Sequence, residues 1–186
     1  MTAKIAMYAL WAAWFVSWHV AMLWQAPVRR RDETVRRPAM LALIVLGFAG
    51  LFGIYRRHGG PEFLAWSAPP AIAWGAVAVL ALSIAFMWWA RLHMGRLWSG
   101  SIDVREGHRV VESGPYALVR HPIYTGILTA ALATAVIKGA WPAIVGFGLV
   151  AAGFVSKAYA EERFLRREFG AGYDAYVRRV PMLVPA

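Results

Sequence analysis

Three stretches of this chain, residues 5–24, 38–55 and 68–90, contain no Asp, Glu, Lys or Arg. Blocks of this length constrain the solvent before they constrain the fold. A helix needs about 20 apolar residues to cross roughly 30 Å of hydrocarbon, so the first and third blocks span comfortably and the second narrowly. Two further apolar stretches, 122–137 and 141–156, are separated only by Lys138, Gly139 and Ala140. Each is short alone. The last reaches spanning length if its helix runs on through Lys157 towards Glu161, with Lys157 snorkelling to the boundary. Of the 186 residues 60% are hydrophobic, and they come in blocks rather than scattered by the period of a soluble helix or strand. The expectation is an all-α polytopic membrane protein with about five transmembrane helices. Residues 1–90 would hold the first three, and 91–186 would hold a cytoplasmic segment, a transmembrane hairpin over 122–158 and a C-terminal amphipathic helix. Almost no chain is left for a separate soluble domain.

The first block does not read as a cleaved signal peptide: it lacks a basic n-region, is long, and ends at Trp24-Gln25-Ala26-Pro27 without a small-residue cleavage site. Trp11, Trp14, Trp18 and Trp24 recur along it, some suited to the interfacial belt and others to lipid or neighbouring helices. With five spans, fifteen arginines fall on one side: Arg29, Arg30, Arg31, Arg36 and Arg37, then Arg91, Arg96, Arg105, Arg109 and Arg120, then Arg163, Arg166, Arg167, Arg178 and Arg179. Lys157 sits at the edge of that side, and only Lys4, Arg56, Arg57 and Lys138 fall on the other. The positive-inside rule then places the N-terminus outside and the C-terminus in the cytoplasm, at the inner membrane if the source is bacterial. The net charge of +10 is accounted for by that topology and by attraction to anionic membrane lipids, so no nucleic-acid partner is expected. There are no cysteines, which excludes disulfides, thiolate nucleophiles and Cys-based metal sites.

Chemistry concentrates in residues 91–121 and 157–180, both on the basic side. Gly114-Pro115 signals a turn, and His121-Pro122 signals a helix boundary. Proline suits the first turn of the fourth span, which puts His121 at a helix mouth with Tyr124 one turn in, a place to hold a polar ligand at the membrane surface. Lys157 and Glu161, four apart, share a helix face; an interfacial ion pair worth a few tenths of a kcal/mol is the plain account. Two details favour a task instead: Lys before Glu is the weaker order, and charges this close to hydrocarbon usually serve function. Beyond them Phe164, Leu165, Phe169, Tyr173, Tyr176 and Val177 recur at helical spacing, as in an amphipathic helix on the membrane surface. His93, His108 and His121 include no i, i+4 pair, so no metal site is expected. No Gly-x-Gly-x-x-Gly follows a strand, so no Rossmann cofactor site is expected. Gly47, Gly50 and Gly53 read as close-packing positions, while His19 and His58 have no assigned role.

The run Gly114-Pro115-Tyr116-Ala117-Leu118-Val119-Arg120-His121-Pro122-Ile123-Tyr124-Thr125-Gly126 is followed by Glu161-Glu162 and then by Phe169-Gly170, Tyr173, Tyr176, Arg179-Val180-Pro181 and Pro185. Together these resemble the isoprenylcysteine carboxyl methyltransferase and phospholipid methyltransferase superfamily, over about residues 91–186. The resemblance implies an α-helical membrane enzyme that binds S-adenosylmethionine in a cytoplasmic pocket closed by the C-terminal helix. A lipophilic acceptor would enter laterally from the bilayer, and no obligate protein partner is implied. Carried over, the cofactor contacts fall on His108, Arg109, Val110 and Val111, on Tyr116, on His121, Pro122, Ile123 and Tyr124, and on Glu161. Glu161 would pair the cofactor's ammonium. Two departures bear on the acceptor. Lys157 stands where the carboxyl methyltransferases place an arginine for the substrate carboxylate, keeping the charge but losing the bidentate fork. Ser101 stands where that branch has a polar amide.

Lys157 is therefore the candidate substrate-binding and catalytic cation. A carboxylate acceptor is already ionised at pH 7 and needs no base. A phospholipid amine or a small thiol must lose a proton, for which Glu162 or a neutral histidine is available. Lys157 tips the balance towards an anionic acceptor and carboxyl O-methylation. Two other classes remain open: a membrane reductase of the steroid-reductase type, whose C-terminal half looks similar and binds NADPH, and a non-enzymatic membrane component that keeps the fold.

Overall fold

The structure is a computed structural model that describes residues 1–31, 37–53, 66–105, 107 and 109–185. His108, expected at the cofactor site, and Arg36, Arg56, Arg57 and His58 lie outside these residues. Among the described residues five long helices alternate in direction: α1 (Ala3–Ala21), α2 (Arg37–Phe52), α3 (Pro70–Met94), α4 (Pro122–Lys138) and α5 (Trp141–Phe169). A short α6 (Ala171–Arg179) follows. Between α1 and α2 the strand β1 (Val28–Arg31) pairs antiparallel with β2 (Asp103–Arg105), a two-stranded ribbon that the sequence reading did not anticipate. It ties the loop after α1 to the segment after α3.

The outer surface is apolar. Phe15, Val16 and Val20 on α1, Leu41, Val45 and Leu46 on α2, Leu82 on α3, Leu132 on α4 and Val145 on α5 are all exposed. Water would make such a surface a liability, whereas hydrocarbon is its proper solvent. By length and composition α3 with its 3-10 continuation (Pro70–Leu97) and α5 can cross a membrane. The helix over Pro38–Phe52 and α4 are apolar but shorter.

Lipid tails are as apolar as leucine, so burial in a bilayer does not drive helices together; close packing does. Here α2 lies on α5 through glycines. A Cβ on Gly47 would meet Val150 at 2.7 Å, and one on Gly146 would meet the Gly47 carbonyl at 2.6 Å. Gly50 closes on Pro142 and Gly146 in the same way. On the other side α4 meets α3, where a Cβ on Gly126 would strike Met87. The indoles of α1 turn inward: Trp11 Nε1 donates to Thr134 Oγ1 at 2.9 Å, and Trp18 packs edge-on against Trp88 and Trp98 at 5.5 and 5.2 Å. Such aromatic pairs contribute about 0.5–1.5 kcal/mol each beyond the area they cover.

α3 runs through position 90 to Met94, and the N-terminal helices pack directly on the C-terminal ones. The expected single amphipathic C-terminal helix is two pieces. α5 continues past Lys157 for twelve residues to Phe169, and Gly170, at φ 54°, turns the chain into α6. An L-residue side chain disfavours that conformation, so the glycine sets the corner.

Candidate functional site

The site lies at the end of the bundle where α3 ends, α4 begins and α5 extends beyond the apolar layer. His121 caps α4, with Pro122 in its first turn. Successive helix residues point about 100° apart. Glu161 and Glu162 on α5 therefore take different surroundings, and His121 reaches both.

Glu161 faces an open cleft of ≈ 870 Å³, a figure that includes solvent at its mouth. Its Oε1 accepts from the Tyr124 hydroxyl at 2.5 Å and lies 3.9 Å from Lys157 Nζ, while Oε2 lies 3.5 Å from His121 Nδ1. Glu162 does not line the cleft. Its Oε1 accepts from Arg120 Nε and Nη2, both at 2.7 Å, and lies 3.3 Å from His121 Nε2. The His121 ring stacks on Tyr124 with centroids 5.3 Å apart. Burial pushes the His121 pKa down, but the two carboxylates outweigh it and hold the value above the ordinary 6.5. The imidazolium form suits the geometry, since each ring nitrogen then has an N–H to donate. A neutral histidine acting as base is therefore a poor description of His121, and Glu162 is committed to Arg120 and His121.

Of the expected cofactor residues that the structure describes, Arg109, Val110, Val111, Tyr116, His121, Pro122, Ile123, Tyr124 and Glu161 all line this cleft. Lys157 does not. Its ammonium donates to the Gly100 carbonyl at 2.8 Å and sits 5.3 Å from the Tyr124 ring centroid, behind the wall formed by residues 98–103. Ser101, the second departure, is on that wall. Tyr116 is buried, which pushes its hydroxyl far up, and Tyr176 donates to the Tyr116 carbonyl at 2.6 Å.

Sequence reasoning missed several lining groups. Trp98 and Asp103 line the wall after α3, with Ser99 Oγ donating to Asp103 Oδ2 at 2.9 Å. Phe164, Phe169, Tyr173 and Tyr176, expected on the C-terminal helix but not named as site residues, form the opposite wall. Arg120 stood in the motif run beside His121-Pro122 but was given no role of its own.

The donor set fits S-adenosylmethionine. A carboxylate within the cleft matches an ammonium, aromatic walls match an adenine, and hydroxyls and the cleft-lining residues 109–111 match a carboxylate and ribose.

Residues 76–167 match the isoprenylcysteine carboxyl methyltransferase family. The chain is 34% identical over 94 residues to protein-S-isoprenylcysteine O-methyltransferase B of Arabidopsis thaliana, covering 49% of this chain and 48% of that protein. It is 38% identical over 79 residues to the protein-S-isoprenylcysteine O-methyltransferase of Schizosaccharomyces pombe, covering 42% of this chain and 34% of that one. It is 44% identical over 75 residues to methanethiol S-methyltransferase 2 of Bradyrhizobium diazoefficiens, covering 38% and 26% respectively. The chain spans less than half the length of each of these three relatives.

Proposed function

Because residues 76–167 match the isoprenylcysteine carboxyl methyltransferase family, we propose that the chain is a member of it and transfers a methyl group from S-adenosylmethionine to a lipophilic acceptor held at the membrane. The observation that carries the proposal is Glu161, a carboxylate on the cleft wall oriented by Tyr124 and His121. When bound, S-adenosylmethionine supplies an electrophilic methyl on a sulfonium, and in-line displacement needs no metal. The chain's residues have the remaining work. Glu161 pairs the ammonium, His121 and Tyr124 fix Glu161, and the apolar walls from Trp98, Phe164 and Phe169 exclude water, so that positioning supplies most of the catalysis.

The acceptor favoured here is a carboxylate, as in protein-S-isoprenylcysteine O-methyltransferases. It arrives ionised and asks for no base, which suits a site whose Glu162 and His121 are already engaged. Lys157 supplies a cation beside the cleft to orient it. The methanethiol S-methyltransferase relative favours a second reading, a thiol acceptor, for which a phenol or carboxylate of the cleft would have to take the proton. A phospholipid amine would make the same demand.

The proposed topology has α1 to α5 each crossing the membrane, with the N-terminus outside and the cleft in the cytoplasm, open laterally to the bilayer. It is supported by the grouping of basic segments. Arg29 and Arg30 pair with Glu168 at the far end of α5, and β1 pairs with β2, so the arginine-rich stretches share one end of the bundle. α2 and α4, at about 24 and 26 Å, then require local thinning of the bilayer or flanking side chains that reach the interface.

Calorimetry on the purified protein tests the reading. S-adenosylmethionine should bind and NADPH should not. Glu161→Ala should weaken cofactor binding by about 2–5 kcal/mol while the protein stays folded in detergent. NADPH binding without S-adenosylmethionine binding would favour the reductase reading instead.

A further inference from the structure

Resting on that reading, we propose that Arg120 is a positioning residue that makes cofactor binding depend on the docking of residues 177–183. This segment lies beyond the family match, which ends at residue 167. It is nevertheless bonded to the centre of the site. Arg120 Nη1 donates to the carbonyls of Val177, at 3.2 Å, and Val180. The backbone N–H groups of Arg120 and His121 donate to the Pro181 and Met182 carbonyls at 2.9 and 3.1 Å. Thr125 Oγ1 donates to the Leu183 carbonyl at 2.6 Å.

The same Arg120 side chain is 10% exposed and places its other donors, Nε and Nη2, on Glu162. Its two sets of partners are thus joined by one rigid planar group. A guanidinium buried this far cannot leave its donors unmet without a large penalty. Releasing the tail therefore frees Arg120 to move. Glu162 loses its charged partner, and His121 loses the anchor on Nε2 that holds Nδ1 towards Glu161. Carbonyls at the end of α6 favour a cation, which makes Arg120 the natural receptor for that end. Linkage is reciprocal, so a cofactor that engages Glu161 tightens the tail in return.

Hydrogen exchange of residues 177–185, with and without S-adenosylmethionine, combined with calorimetric affinity, tests this on the full chain in detergent. In the wild type the cofactor should raise protection of the tail. Arg120→Gln should lower both tail protection and affinity about tenfold or more, as for loss of hydrogen bonds from a charged donor, and Arg120→Lys should recover part of each. Thr125→Val loosens the tail at Leu183, and the other bond its hydroxyl makes is to the backbone carbonyl of His121 at 3.3 Å, not to the imidazole. It should weaken affinity in step with protection, and it decides the matter alone if Arg120→Gln fails to fold. A released tail with unchanged affinity overturns the proposal, as does lost affinity with a tail still protected. A wild type that binds no S-adenosylmethionine overturns the methyl-transfer reading itself and shows this before any variant is made.

Discussion

At the scale of single residues the site is an alternation of charge: Lys157, Glu161, His121, Glu162 and Arg120 in contact sequence, each within 4 Å of the next. The imidazolium at its middle has a pH consequence. His121 is held above 6.5 in the folded chain, so its contribution is fully present below about 6.5 and is lost as pH rises through the raised folded value. Thermal unfolding in detergent between about pH 6 and 9 should show the wild type losing more stability than His121→Gln; a wild type that gains relative to the variant would contradict the assignment. Lys157→Met keeps the aliphatic stem and removes the ammonium. Cofactor affinity should change little, while kcat/KM for an anionic acceptor falls about 10²-fold, close to 3 kcal/mol. Undiminished turnover would reduce Lys157 to a brace on Gly100 and favour a thiol or amine acceptor. Glu161, His121 and Tyr124 were legible because a proline boundary and a paired acid mark them. The role of Arg120 was not, because its partners Glu162, Val177 and Val180 lie some forty to sixty residues further along the chain.

Among the elements, the helix positions were readable from charge-free blocks, but their ends and partners were not. Gly170 ends α5 because the corner needs φ 54°, and a reading by helical periodicity runs straight through it. The pairing of β1 with β2 joins residues far apart in sequence, and no local pattern announces such a contact. The α2–α5 seam is different: glycines at Gly47 and Gly50 signalled close approach, though not to which helix. Gly146→Leu should destabilise the full chain by about 1–3 kcal/mol or more through overpacking, whereas Gly148→Ala, which meets open space, should change it little. Thermal unfolding of the two variants side by side checks this. Equal stability would mean that the seam is loose.

For the molecule as a whole, an apolar exterior, a basic end and a cleft at that end belong together. The helices bring the chain to the same end after α1, α3 and α5, which is where its arginines and its acid-lined cleft meet. That convergence was legible from the sidedness of the arginines; the shape of the cleft was not, since its walls come from segments sixty residues apart. A reporter fused to the C-terminus should be active only on the cytoplasmic side, and activity confined to the periplasm or lumen would reverse the proposed orientation. The most direct measurement is mass spectrometry of membrane lipid extract incubated with the purified protein and methyl-labelled S-adenosylmethionine. A labelled lipophilic product, formed by the wild type and absent with Glu161→Ala, is the predicted result. No labelled product in any extract, from a folded wild type that binds the cofactor, would contradict methyl transfer to a membrane-borne acceptor.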